Sequence, residues 1–169
     1  YMTPTESAAA KPPLITPTFV LAWVANFCQF LVFYLFVTTM ALYAVESFGA
    51  SDTVGGFASS AFVLGATCMR VFSGWIVDRV GHKKAALTSL VFVTVVAVAY
   101  FFAHNVAVLI IVRMVHGAGY ALTSTALMAV AQSVIPHERR AEGTGYFALG
   151  TTLATAFGPA IGLLLANNI

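Results

Sequence analysis

Long apolar runs alternate with short polar joints along the whole chain. Five of these runs, residues 18–44, 53–77, 85–103, 106–134 and 143–166, are of a length that crosses a bilayer as helices. A helix needs roughly 20 apolar residues to cross about 30 Å of hydrocarbon. The joints carry turn chemistry. Pro17 suits a first helical turn, Glu46 to Asp52 is an acidic joint, and His104 with Asn105 makes a minimal one. The joint after the second run holds Asp78, Arg79, Gly81, Lys83 and Lys84, and Gly81 suits a backbone position of positive φ. Residues 1–16 are polar and proline-bearing and are expected to form a flexible tail. They lack the pattern of a signal peptide, since the following apolar run is too long and no small-residue cleavage site ends it. The fold class expected is all-α, a polytopic transmembrane helix bundle over residues 17–169.

Composition agrees and narrows the choice. The chain is 60% hydrophobic and 8% charged, with mean hydropathy +0.90, against roughly 45–50% apolar and about 25% charged in soluble domains. A net charge of +2 is too small to point to nucleic acid. Lys11, Arg79, Lys83, Lys84, Arg139 and Arg140 all fall in joints on one side of the threading, and the opposite joints hold no lysine or arginine. The positive-inside rule then puts the N terminus in the cytoplasm. Cys28 and Cys68 lie in separate apolar runs without partner spacing and are expected to be small buried hydrophobes. No cofactor is implied, and neither metal-ligand spacing nor a convergent nucleophile, base and carboxylate occurs. A phosphate-binding glycine loop is missing too, which argues against an ATP-driven pump.

Polar residues inside the runs are the candidate functional positions. Asn26 and Gln29, three apart, share a face of the first helix with Phe30 and Phe33, which fits either an interhelical hydrogen bond or a cavity lining. Arg70, Gly74 and Asp78 follow at steps of four on the second helix, and Arg70 can snorkel towards the basic joint. Arg113 is the costliest residue in the sequence, because a central arginine costs about 2.5–3.5 kcal/mol on insertion scales. His116, Gly117, Tyr120 and Ser124 continue its face. The fifth run repeats small residues at Gly150, Ala154, Gly158 and Gly162, a flat face for another helix, and Pro159 is expected to bend the helix.

These residues resemble the N-terminal half of a major facilitator superfamily transporter, most similar to proton-coupled drug and metabolite antiporters. Gly74, Asp78, Arg79, Gly81, Lys83 and Lys84 match the family's loop between its second and third helices, with His82 where arginine is commoner. Arg113, Gly117, Gly119 and Ala121 match its fourth-helix signature, with His116 in place of glutamine. Gly158, Pro159 and Gly162 match its fifth-helix signature in part, because Ala154 and Leu163 stand where glycines are expected.

The resemblance, which covers about Phe19 to Leu165, implies two six-helix bundles around a central cavity and alternating access by rocking. It implies that the first and fourth helices line the cavity, and that the Asp78 joint latches the cytoplasmic side against the opposite bundle. Arg113 would couple proton movement to a small-molecule substrate. Its guanidinium does not give up a proton, so it is expected to organise a carboxylate elsewhere. The chain is expected to be an incomplete half lacking its C-terminal partner bundle, to sit in the inner membrane, and to serve efflux of small amphipathic molecules. Import of a small metabolite and a non-transporting assembly module that binds a separate chain through the glycine row are the alternatives.

Overall fold

A computed structural model describes residues 11–168. It contains five long helices joined by turns of a few residues: α1 (Pro17–Phe48), α2 (Asp52–Val80), α3 (His82–Ala99), α4 (Val106–Val134) and α5 (Arg140–Asn168). Short 3-10 turns at Tyr100–Phe102 and His137–Arg139 precede α4 and α5. Each of the five spans is long and apolar enough to cross a membrane, so this is a multi-pass membrane protein.

Capping explains why the helices begin where they do. The hydroxyl oxygens of Thr16 and Ser51 accept from the Phe19 and Val54 amides at 3.2 Å, and Asn105 Oδ1 accepts from Val108 at 2.9 Å. Each satisfies one of the amides that a first turn leaves without a partner. Gly49 closes α1 at φ 62°. Gly81, at φ 95°, is the single residue between α2 and α3, as its place in a tight reversal predicts. Capping also carries the helices past the apolar runs. The acidic joint shrinks to residues 49–51 with Glu46 inside α1, α3 begins at His82, and α5 begins at Arg140. At that start Arg139 and Glu142 form the only ion pair among the described residues, 2.8 Å long.

Residues 1–10 of the expected tail lie outside the described residues. Of residues 11–16, Lys11, Pro12, Pro13 and Ile15 are exposed and two points touch the bundle. Leu14 is buried in the cluster that holds Phe19, Val77, Leu127 and Phe147, and the Pro12 carbonyl accepts from Arg139 Nη1 at 3.1 Å.

Helix α4 is the hub, packed against α2, α3 and α1, while α5 packs along α1. The α2–α4 contact is backbone to backbone. A Cβ added at Gly65 would stand 1.9 Å from the Met114 carbonyl oxygen, and one at Gly117 would stand 1.9 Å from that of Phe62. Glycine is required there because nothing else lets the two helices come so close. On α5, Gly158 and Gly162 face α1, whose Tyr34 and Thr38 would meet an added Cβ at 2.6 and 2.8 Å, and Gly150 faces Trp23. Ala154 is buried in the same row. The row is therefore occupied by α1 and is not free for a separate chain. The helix runs on through Pro159, whose missing amide leaves the Thr155 carbonyl without its helical donor.

The outer surface is apolar, with Val71, Leu87 and Phe101 at 77, 67 and 85% exposed, as lipid contact requires. Cys28 and Cys68 are exposed as well. The expectation that they are buried is corrected, because a run that is apolar all round does not reveal which side meets protein and which meets lipid.

Candidate functional site

Three layers of side chains stack between α1, α2 and α4. The first surrounds Arg113, which lies about 10 Å along α4 from its start and is 0% exposed. Its Nη2 donates to the Ser59 carbonyl at 2.8 Å and its Nε to that of Ala58 at 3.4 Å. Its Cζ stands 4.8 Å from the centre of the Phe62 ring and 5.9 Å from that of Phe36, within reach of cation–π attraction. Its Nη1 is buried and has no partner among the described residues. One turn on, His116 Nδ1 is 2.9 Å from the Tyr100 hydroxyl, and its ring packs edge-on to Phe36 and Phe62. Which of the pair donates depends on the imidazole tautomer. Tyr100 escapes a reading of the sequence because a tyrosine in a featureless apolar run carries no signal of its partner.

The middle layer is aromatic. Tyr120 stacks on Phe33 at 5.4 Å and meets Phe30 and Phe62 at 5.4 and 5.0 Å, distances typical of favourable ring pairs. Next comes the third layer, in which Arg70 Nη2 donates to Ser124 Oγ at 3.4 Å. The stripe predicted from Arg113 to Ser124 is thus divided. Ser124 lies about 16 Å further along the helix axis than Arg113 and serves Arg70. Equal face does not mean equal depth.

The α1 group also separates. Asn26 Nδ2 donates to Thr151 Oγ1 of α5 at 3.3 Å, an interhelical hydrogen bond. Gln29 is buried, and neither of its amide atoms has a partner among the described residues. Phe30 and Phe33 join the aromatic layer. None of the four lines the cleft of about 620 Å³ at the end away from the basic joints. Thr39, Tyr43 and Glu46 face that cleft, and Phe36 and Tyr100 form the wall between it and Arg113.

At the opposite end, Gly74, Asp78, Arg79, Gly81, Lys83 and Lys84 are all exposed. Asp78 forms no ion pair among the described residues, and Arg79 lies 5.2 Å from the Trp75 ring. A Cβ at Gly74 would meet nothing within 4 Å. Packing inside the bundle therefore does not explain glycine at this position.

Together these features define a polytopic helix bundle with charged side chains held between its membrane-spanning helices. Residues 22–169 match the family described as the Major Facilitator Superfamily, and the chain belongs to it. It is 31% identical over 123 residues, 72% of its length, to the staphylopine export protein of Staphylococcus aureus. It is 30% identical over 153 residues, 87% of its length, to the multi-drug resistance efflux pump PmrA of Streptococcus pneumoniae. Against the quinolone resistance protein NorA of S. aureus it is 24% identical over 148 residues, 86% of its length. The matches cover 31, 37 and 38% of these relatives, so the chain spans about a third of their length.

Proposed function

We propose that this bundle is one half of a secondary active transporter that exports small amphipathic molecules in exchange for protons, working opposite a second bundle. The observation that carries the reading is Arg113. A fully buried guanidinium with one unused donor, Nη1, is costly in a membrane protein unless a charged partner arrives during function. A carboxylate on the facing bundle is the partner we assign to it, and it carries the proton that arginine does not release. The His116–Tyr100 pair, held against the same Phe36 and Phe62 rings, is then the polar path beside it.

In this reading the joint from Asp78 to Lys84 is the latch. Its charges are exposed and Asp78 is free to meet the facing bundle. The protein sits in the inner membrane with its N terminus and this joint in the cytoplasm, as the count of basic residues favours. The efflux names borne by several relatives favour export, and the aromatic layer between α1 and α4 suits an apolar cargo.

Export of a fluorescent amphipathic dye from cells making the whole gene product tests this. Export is expected to stop when the proton gradient is collapsed with ATP still supplied; export that persists overturns the proposal. Asp78→Asn is expected to slow export roughly tenfold, the effect of one charge-assisted hydrogen bond of about 1.5–3 kcal/mol, with membrane insertion unchanged. Wild-type rates in that variant would remove the latch from the account.

A further inference from the structure

Three polar side chains from three helices lie at one level, and nothing in the reading above uses them together. Helix α1 runs opposite to α2 and α4. A step from Phe33 back to Gln29, from Ala66 on to Arg70 and from Tyr120 on to Ser124 is therefore in each case one turn, about 6 Å, towards the basic joint after α2. Phe33, Ala66 and Tyr120 belong to a single cluster with Phe62 and Phe30. Arg70 and Ser124, 3.4 Å apart, thus form the next layer below it, and Gln29 stands at the same level on α1.

This layer has donors left over. Arg70 is exposed, has one 3.4 Å hydrogen bond to a neutral hydroxyl, and has no carboxylate within 4 Å among the described residues. Gln29 is 9% exposed with both amide atoms unpartnered. Snorkelling does not account for Arg70. It stands ten residues before the end of α2 and Ser124 ten before the end of α4, so the guanidinium stays level with Ser124, about 15 Å from the helix ends. Side chains on a helix lean towards its N terminus, which for α2 is away from the basic joint.

We infer that Arg70, with Ser124, is the anion-recognising end of a cargo site whose apolar wall is Phe30, Phe33 and Tyr120. The cargo class is an aromatic or apolar molecule bearing a carboxylate. The guanidinium fork takes the two carboxylate oxygens, and the ring of the cargo lies against the aromatic layer. This inference rests on the transporter reading and narrows its substrate.

The test is equilibrium dialysis of the protein in phosphatidylcholine nanodiscs with 1-naphthoate and with its neutral isostere 1-naphthamide. Naphthoate is expected to bind about tenfold more tightly than the amide, the share of a charge-assisted hydrogen-bond pair. Arg70→Gln is expected to abolish that preference with helix content unchanged, and Arg70→Lys to keep part of it. Equal binding of the two probes by the wild type, no naphthoate binding, or a preference that survives in Arg70→Gln overturns the assignment. If phosphatidylglycerol in the nanodiscs displaces naphthoate, the occupant is a lipid headgroup and the cargo assignment fails. None of these outcomes depends on a proton gradient, so failure of the transport reading appears separately, in the export assay.

Discussion

Alanine at Gly65 or at Gly117 is expected to prevent the bundle from folding. At both positions the new Cβ would lie 1.9 Å from a backbone carbonyl oxygen of the facing helix. Side chains can turn away from such a contact; backbone cannot. Overpacking that flexible side chains absorb costs about 1–3 kcal/mol. Here α2 and α4 must separate along their length, which also withdraws the Ser59 and Ala58 carbonyls from Arg113 and leaves that charge buried without acceptors. Gly56→Ala is the control, because a Cβ there meets nothing within 4 Å. Size-exclusion chromatography in detergent is expected to give a single symmetric peak for Gly56→Ala and aggregate for the other two. A well-folded Gly65→Ala protein would mean that the helices do not cross as described.

The second large effect is on Arg113. Arg113→Lys keeps the charge and loses the fork, so one ammonium must replace the Nη2 and Nε bonds to two successive carbonyls. It also loses the flat face that lies against Phe62. Hydrogen bonds from charged groups contribute about 1.5–3 kcal/mol each, so transport is expected to fall tenfold or more while the protein still inserts. Measured export equal to wild type, with the same response to external pH, would assign Arg113 a purely structural role in joining α4 to α2.

The number of spans, their order and the basic joint were legible because lipid imposes one rule on every residue of a span and charge imposes another on every joint. What the pattern did not carry was pairing. All five helices are largely apolar around their circumference, so nothing in α5 says that its small residues meet α1, and nothing in Gly65 says that its partner is Met114. Depth was hidden as well. Helical periodicity groups Arg113 with Ser124 on one face, yet the two belong to different layers, with the Tyr120 ring between them. Tyr100, Leu14 and the outward cysteines share a cause. An apolar or weakly polar residue in an apolar run looks the same whether it faces protein or lipid.

The roles given to Asp78, Arg113 and the layers between them all require that the joint after α2 face the cytoplasm. Labelling of His82→Cys with a membrane-impermeant maleimide, in protein whose Cys28 and Cys68 are replaced by alanine, decides this most directly. No labelling from outside intact cells and full labelling in inside-out vesicles are expected. Labelling from outside would reverse the bundle in the membrane and contradict those roles.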